Sequence, residues 1–228
     1  MNDVFHEYMS KRLDEINLND YHKEPGPVVT LSRVAGCSAS NVSNILASSL
    51  TELTPILPWK VISKEILRES ARELEIHPKK IKEIYKGQNR SLMDEIAQAI
   101  LSNQNQLERK FRKTIIDVFL RFAYEGNKIF IGRGSNIICS QIKKALHVRI
   151  DAPLEWRIHR VMTQRHFSRD EALTCITSTE KNRADFRKSI KGKTVFSEDY
   201  DLTINQSKFS DEEIAQIIIK TLSIRNII

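Results

Sequence analysis

Arg183 and Arg187 stand four residues apart, so a helix through them presents both guanidinium groups on one face, with Asp185 pointing elsewhere. A guanidinium is a planar fork of donors that matches the oxygens of a phosphate or a carbonyl. The other use open to such a pair is a salt bridge within the fold. Arg133 sits between Gly132 and Gly134, directly after the apolar run Lys128-Ile129-Phe130-Ile131. If that run is a strand, Arg133 emerges at its end, placed to meet phosphate or a base carbonyl, or to hold Asp151 or a helix. Arg157 and Arg160 lie three apart on a further helical stretch, where a solvated charged face is the alternative.

The segment Ser32-Arg33-Val34-Ala35-Gly36-Cys37-Ser38-Ala39-Ser40-Asn41 follows another short apolar run. Small residues let backbone N–H groups turn inward, and a helix starting after them adds partial positive charge. Gly36, Cys37, Ser38, Ala39, Ser40 and Asn41 thereby make a candidate phosphate cradle. A phosphate loop of the usual kind adds a lysine for the outer phosphates and a Ser or Thr for magnesium. Here there is one glycine, Gly36, and no lysine, so an ordinary strand-to-helix connection competes with that reading. Cys37, just before a helix, is a candidate for a lowered thiol pKa, against a plain structural role. Ser38 has no His or Asp motif to activate it as a nucleophile. His159 and His166 recur at i and i+7 with no Cys or carboxylate to complete a metal-ligand spacing. Cys37, Cys139 and Cys175 form no CxxC pair, so neither a zinc site nor a disulfide framework is expected.

Such residues need elements to position them. Val28-Val29-Thr30-Leu31 is short, largely β-branched and preceded by Pro27, which predicts a buried strand near 28–32. The same pattern places strands near 59–62, 128–132, 146–151 and 201–205. Between the first two, Val42, Ile45, Leu46, Leu50 and Leu53 fall at helical spacing. Ser63 stands where an N-cap would open the next helix, and the pattern from 78 to 125 is wholly helical. Leu107, Phe111, Ile115, Val118, Phe119 and Phe122 mark its buried face until Gly126 ends it. Pro153 suits the first turn of a helix carrying Leu154, Ile158, Val161 and Met162. Ser168 with Glu171, and Ser210 with Glu213, are capping boxes for two more helices.

Five short strands separated by helices predict an α/β fold, a parallel sheet covered on both faces. Right-handed crossovers then put every post-strand loop along one edge, where ligands of such sheets bind. Residues 1–26 read as an added helix and linker, and residues 27–228 as one domain with a helical insertion at about 78–125.

The 228 residues are 40% hydrophobic, enough for a buried core and too much for a disordered chain. A net charge of +7 favours anionic partners, nucleotides and nucleic acid alike. The basic stretch from Arg157 to Lys193 lacks the interleaved aromatics of a single-strand binder, so nucleic acid is not the expected partner. No apolar run approaches the ~20 residues of a membrane span, and the N-terminus is too charged for a signal peptide. A cytoplasmic protein with reduced thiols is expected.

In order along residues 27–222, these segments resemble the cytidylate kinase-like family, relatives of the bacterial cytidylate kinases among the P-loop nucleoside monophosphate kinases. Thr30-Leu31-Ser32-Arg33 and Gly36 match the family's strand end and loop, with Ala39 at a family glycine and Ser40 at its basic residue. Ile62-Ser63-Lys64-Glu65-Ile66-Leu67 is similar to a segment in which Asp is usual at the place of Ser63. Phe130-Ile131-Gly132-Arg133-Gly134-Ser135-Asn136 resembles the family's Gly-Arg-Gly-Ala-Asn stretch. The stretch from His147 to Arg160, Glu180 through Arg187, and Tyr200-Asp201-Leu202-Thr203-Ile204-Asn205 complete the series.

The resemblance implies a P-loop NTPase-like sheet with a lid at about 165–198. It implies phosphoryl transfer from ATP, with Mg2+, to CMP or a related nucleoside monophosphate. The loop from Gly36 to Asn41 would hold the donor phosphates, with Arg157 touching the donor nucleotide. Ser63 and Arg133 would bind the acceptor. Arg183 and Arg187, as lid arginines, would be catalytic and neutralise the transferring group. The altered loop keeps a second outcome open: a nucleotide- or protein-binding module that has the fold without the chemistry.

Overall fold

The computed structural model describes residues 25–63, 106–191 and 199–228. The helical stretch expected from 78 is therefore described only from residue 106, and the expected N-terminal helix lies outside the described residues. Five strands alternate with helices. They are β1 (Val28–Arg33), β2 (Lys60–Ile62), β3 (Lys128–Ile131), β4 (Ala145–Asp151) and β5 (Leu202–Asn205). The helices are α1 (Ser40–Leu53), α2 (Gln106–Glu125), the single turn α3 (Ser135–Ile138), α4 (Leu154–Arg165), α5 (Arg169–Lys191) and α6 (Asp211–Ile224). The strands form one sheet in the order β2-β3-β1-β4-β5. Every pairing is parallel, with Val28 opposite Lys128 on one side and Ala145 on the other. The first strand, which leads into the glycine-bearing loop, is thus the middle of the sheet.

Both faces are covered, as continuous apolar strands require. Val29, Leu31, Ile129, Ile131, Val148 and Ile150 pack on Val42, Leu46 and Leu50 of α1 and on Ile214, Ile218 and Leu222 of α6. In α2, Ile116, Val118, Phe119, Leu120 and Ala123 are all buried. The Phe119 ring lies 5.1 Å from that of Phe130, a tilted pair of the kind that contributes about 0.5–1.5 kcal/mol beyond its area. Phe122, expected on the buried face, is half-buried.

Thr30 is fully buried in mid-sheet, so its hydroxyl needs a partner, and it finds His147 Nδ1 at 2.9 Å. Burial in turn holds the His147 imidazole below its usual pKa, against the pull of Asp201.

The helix starts follow the sequence signals. Ser210 and Glu213 form a complete capping box on α6. Ser168 and Glu171 exchange the same bonds before α5. Pro153 is the capping residue and Leu154 the first of α4, one position later than the sequence places it. Because all strands run the same way, the segments after β1, β2, β3, β4 and β5 share one edge.

Candidate functional site

At that edge the loop from Val34 to Ala39 is fixed from three directions. Ala35 is buried among Ile158, Val161, Ala172 and Ile176 of α4 and α5. Gly36 has φ +90°, and a Cβ there would lie 2.7 Å from the Arg157 Cβ, so only glycine lets α4 come this close. Arg157 spends its guanidinium on backbone carbonyls, Nε on Ala152 at 2.9 Å and Nη1 on Ala35 at 3.1 Å. Gln206, one residue past β5 and 6% exposed, closes the other side. Its Oε1 accepts from Ser38 N–H at 3.0 Å and Arg160 Nη1 at 3.0 Å. Its Nε2 donates to the Ser38 carbonyl at 2.9 Å and Asp211 Oδ1 at 2.9 Å. All four hydrogen-bonding positions of that amide are filled. Asp211 takes a further bond from Asn41 Nδ2 at 3.0 Å.

Four of the loop's donors are already engaged. Val34 N–H goes to the Ile150 carbonyl and Cys37 N–H to the Val34 carbonyl, both at 3.1 Å, Ser38 N–H goes to Gln206, and Ala35 N–H donates to Glu180 Oε1 of α5. The start of α1 is different. Ala39 offers no capping oxygen and the first turn holds no acidic side chain, so the positive end of this helix is left uncompensated by its own residues. Ser40, the first residue of α1, is exposed.

At Cys37 the fold favours the plain structural role over a lowered thiol pKa. Helix α1 begins three residues later, and the thiol packs partly against the main core. Burial first, and then the Asp151 carboxylate, push it up to about 11, against the pull of Arg157 and Arg160. The helix-start effect anticipated from sequence is overridden. Iodoacetamide labelling of Cys37 should still be accelerating with pH at pH 10. A midpoint near the ordinary thiol value of about 8.5 would show a more polar setting than this.

Beside the loop the arginines gather. Arg33 ends β1, and its Nη1 occupies the space that a Cβ on Gly132 would need. Arg183 reaches across from α5 and donates Nη1 to the Arg33 carbonyl at 2.9 Å. Burial, then the Arg183 and Arg133 guanidinium groups, push Arg33 down to about 9, with Glu180 opposing. Arg183 is held low first by burial and also by Arg187, again with Glu180 opposing. The Nε of Arg187 is buried without a partner. Gly132, Arg133 and Gly134 are three consecutive left-handed residues, with φ of 66°, 58° and 70°. Arg133 adopts this conformation without glycine's freedom, a local cost that commonly accompanies a functional role. Ser63 follows β2, one strand further out than Arg133.

The structure thus brings Arg133, Arg183 and the loop to one edge, with Arg187 close enough to depress Arg183. It turns Arg157 onto the backbone. The sequence of the cytidylate kinase-like family matches residues 28–208, most of the chain. The chain belongs to the cytidylate kinase-like family. All the cytidylate kinase-like residues named above lie within that match. No curated protein matches the chain. Among solved structures, an uncharacterised protein from Eubacterium ventriosum is similar at 18% identity and a TM-score of 0.59, covering 86% of this chain and 97% of its own. A shikimate kinase from Acinetobacter baumannii in complex with shikimate aligns at 12% identity and a TM-score of 0.45, over 92% of this chain and 96% of its own. The architecture is a five-stranded, all-parallel, helix-flanked sheet, as the sequence led us to expect. Among the described residues no helix is long and apolar enough to cross a membrane.

Among the described residues of this cytidylate kinase-like chain, no cluster of three or more His, Cys, Asp or Glu could hold a metal ion. Among the described residues the side chains form no magnesium cage, and the ion would come with the ATP phosphates that supply most of its ligands. Glu180 and Gln206 were not singled out by the sequence reading as site residues. The signals were there. Glu180, Arg183 and Arg187 fall at i, i+3 and i+7 on one helix face, and Gln206 directly follows a strand.

Proposed function

We propose that this kinase-like protein binds nucleotides and moves the γ-phosphate of ATP·Mg to CMP or a related nucleoside monophosphate. The observation that supports this reading best is the crowding of Arg33, Arg133, Arg183 and Arg187 at the ligand edge, with Glu180 as the carboxylate among them. Like charges are not brought together in a half-buried place for stability. They are accounted for by an anion of several charges. In the transfer, an oxygen of the acceptor phosphate forms a bond to the γ-phosphorus as the bond to the β–γ bridging oxygen breaks, and ADP leaves. The protein's part is to align the two phosphates and to neutralise the oxygens of the group in flight. Arg133 serves the acceptor phosphate, Arg183 and Arg187 the transferring group, and the Gly36–Asn41 loop at the uncapped start of α1 the donor. A cytoplasmic setting follows from those substrates.

A second reading, a binding module without catalysis, is favoured by one observation. The Ala35 and Ser38 N–H groups are engaged by Glu180 and Gln206, and no cation stands at Ser40. Calorimetric titration with ATP·Mg and each nucleoside monophosphate, followed by a transfer assay on the pairs that bind, separates the two. The kinase reading expects binding of ATP·Mg and a monophosphate, with ADP formed only when both are present. Binding without turnover at any pairing would leave the module.

A further inference from the structure

We propose that Arg33 is a phosphate-binding residue of this chain, the cation that stands in for the basic residue missing at Ser40, and that Glu180 holds the anion's place until phosphate arrives. The inference rests on the reading of this edge as a phosphate site.

Three observations carry it. The first is position. Arg33 is the last residue of the central strand and leads directly into the loop, so its side chain leaves the sheet at the ligand edge. The second is its seating. The Arg33 Nη1 stands against Gly132, where a Cβ would meet it, and Arg183 fastens the Arg33 backbone through the carbonyl at 2.9 Å. A bulky cation is seated here in spite of its neighbours, because Arg133 and Arg183 both repel it. A guanidinium stays charged at neutral pH, so that repulsion is not relieved by losing a proton.

The third is the company that Glu180 keeps. Its carboxylate accepts the Ala35 N–H, lies 4.0 Å from Arg157 Nη1, and is the group that favours the charged forms of Arg33 and Arg183. A backbone N–H and several guanidinium groups around one pair of oxygens is the environment a phosphate oxygen would seek. Glu180 is one-third exposed on α5, so solvent can receive its carboxylate when a phosphate takes over these contacts. A ligand phosphate carries more charge and more oxygens than the carboxylate it would replace. Arg33 then faces a stronger anion than Glu180 to offset the guanidinium groups beside it.

Inorganic pyrophosphate is the direct probe, because it presents the phosphate chemistry without a base or a reaction. Titrations at matched salt should be run on the wild type, Arg33→Lys, Arg33→Met and Glu180→Gln, with melting curves for each without ligand. The expected result is about a tenfold loss of pyrophosphate affinity in Arg33→Met, a smaller loss in Arg33→Lys, and a several-fold gain in Glu180→Gln. Arg33→Met should melt no lower than wild type, since it removes a repelled cation; a purely structural arginine would show the opposite. Equal affinity in wild type and Arg33→Met overturns the proposal and leaves the kinase reading standing. If the wild type binds neither pyrophosphate nor ATP·Mg, the phosphate site itself falls, and both go. Should Arg33→Met fail to fold, Arg33→Lys decides: unchanged pyrophosphate affinity in a folded Arg33→Lys rejects the proposal, and a loss there beside a gain in Glu180→Gln supports it.

Discussion

Arg187→Ala should reduce phosphoryl transfer by about 10²–10³-fold while leaving the melting temperature unchanged or slightly raised. The two halves of that expectation have separate causes. A guanidinium aimed at charge that develops only during transfer lowers the barrier without holding the fold. Arg187 Nε is buried with no partner, and such a group costs about 1–3 kcal/mol, which alanine removes. Alanine also lifts one repulsion from Arg183. Arg183→Ala should lose a comparable amount of activity. It also gives up a bond to the Arg33 carbonyl, worth about 0.5–1.5 kcal/mol, partly offset by the same relief of charge. Rate measurements at saturating nucleotide, paired with melting curves, check both variants. Full activity in both, or unfolding of both, would remove these arginines from the reaction.

Ser40→Lys and Ser40→Arg should each bind ATP·Mg several-fold more tightly than the wild type, less than the full worth of the contact because Arg33 already fills part of the role. A charge-assisted contact to phosphate contributes about 1.5–3 kcal/mol, and each ~1.4 kcal/mol is tenfold. Ser40 is exposed at the start of α1, so a long side chain meets no packing obstacle there. A cation on the positive end of a helix loses about 0.3–1 kcal/mol, which trims the gain without cancelling it. Titration of the three proteins at matched magnesium and salt gives the answer. Tight binding by the wild type with no improvement would mean that a cation already fills the role, as Arg33 is proposed to do. No binding by any of the three would leave only the module.

The strands were legible because each is a short apolar, often β-branched run, and a run that cannot cover itself must be buried on both faces. The run at 28–32 became Val28–Arg33, and that at 128–132 became Lys128–Ile131. The helix starts at Ser168 and Ser210 were legible for a different reason. A capping box is local, with both partners three residues apart. The loop's clamps were not legible in that way. Ala35 and Glu180 are 145 positions apart, and Ser38 and Gln206 are 168 apart, so only the completed fold brings them together. The choice between the two readings of Cys37 needed the fold for the same reason. Proximity to a helix in sequence gave the sign of one small effect, while burial against the core, invisible along the chain, set the larger one. Arg157 was chosen for its charge, and the fold spends that charge on two carbonyls.

The contact between Arg33 and Gly132 has a consequence for inheritance. Arg33 ends β1 and Gly132 directly follows the neighbouring β3, and the guanidinium of one stands where a side chain on the other would start. The order of change is not symmetric. A descendant that gains a methyl group at 132 first must swing the guanidinium aside and hold a left-handed backbone with a side chain on it, whereas one that shortens residue 33 first meets neither obstacle. The path of loss should therefore have a direction, arginine before glycine, and a relative with a short residue at 33 and glycine at 132 is the expected intermediate.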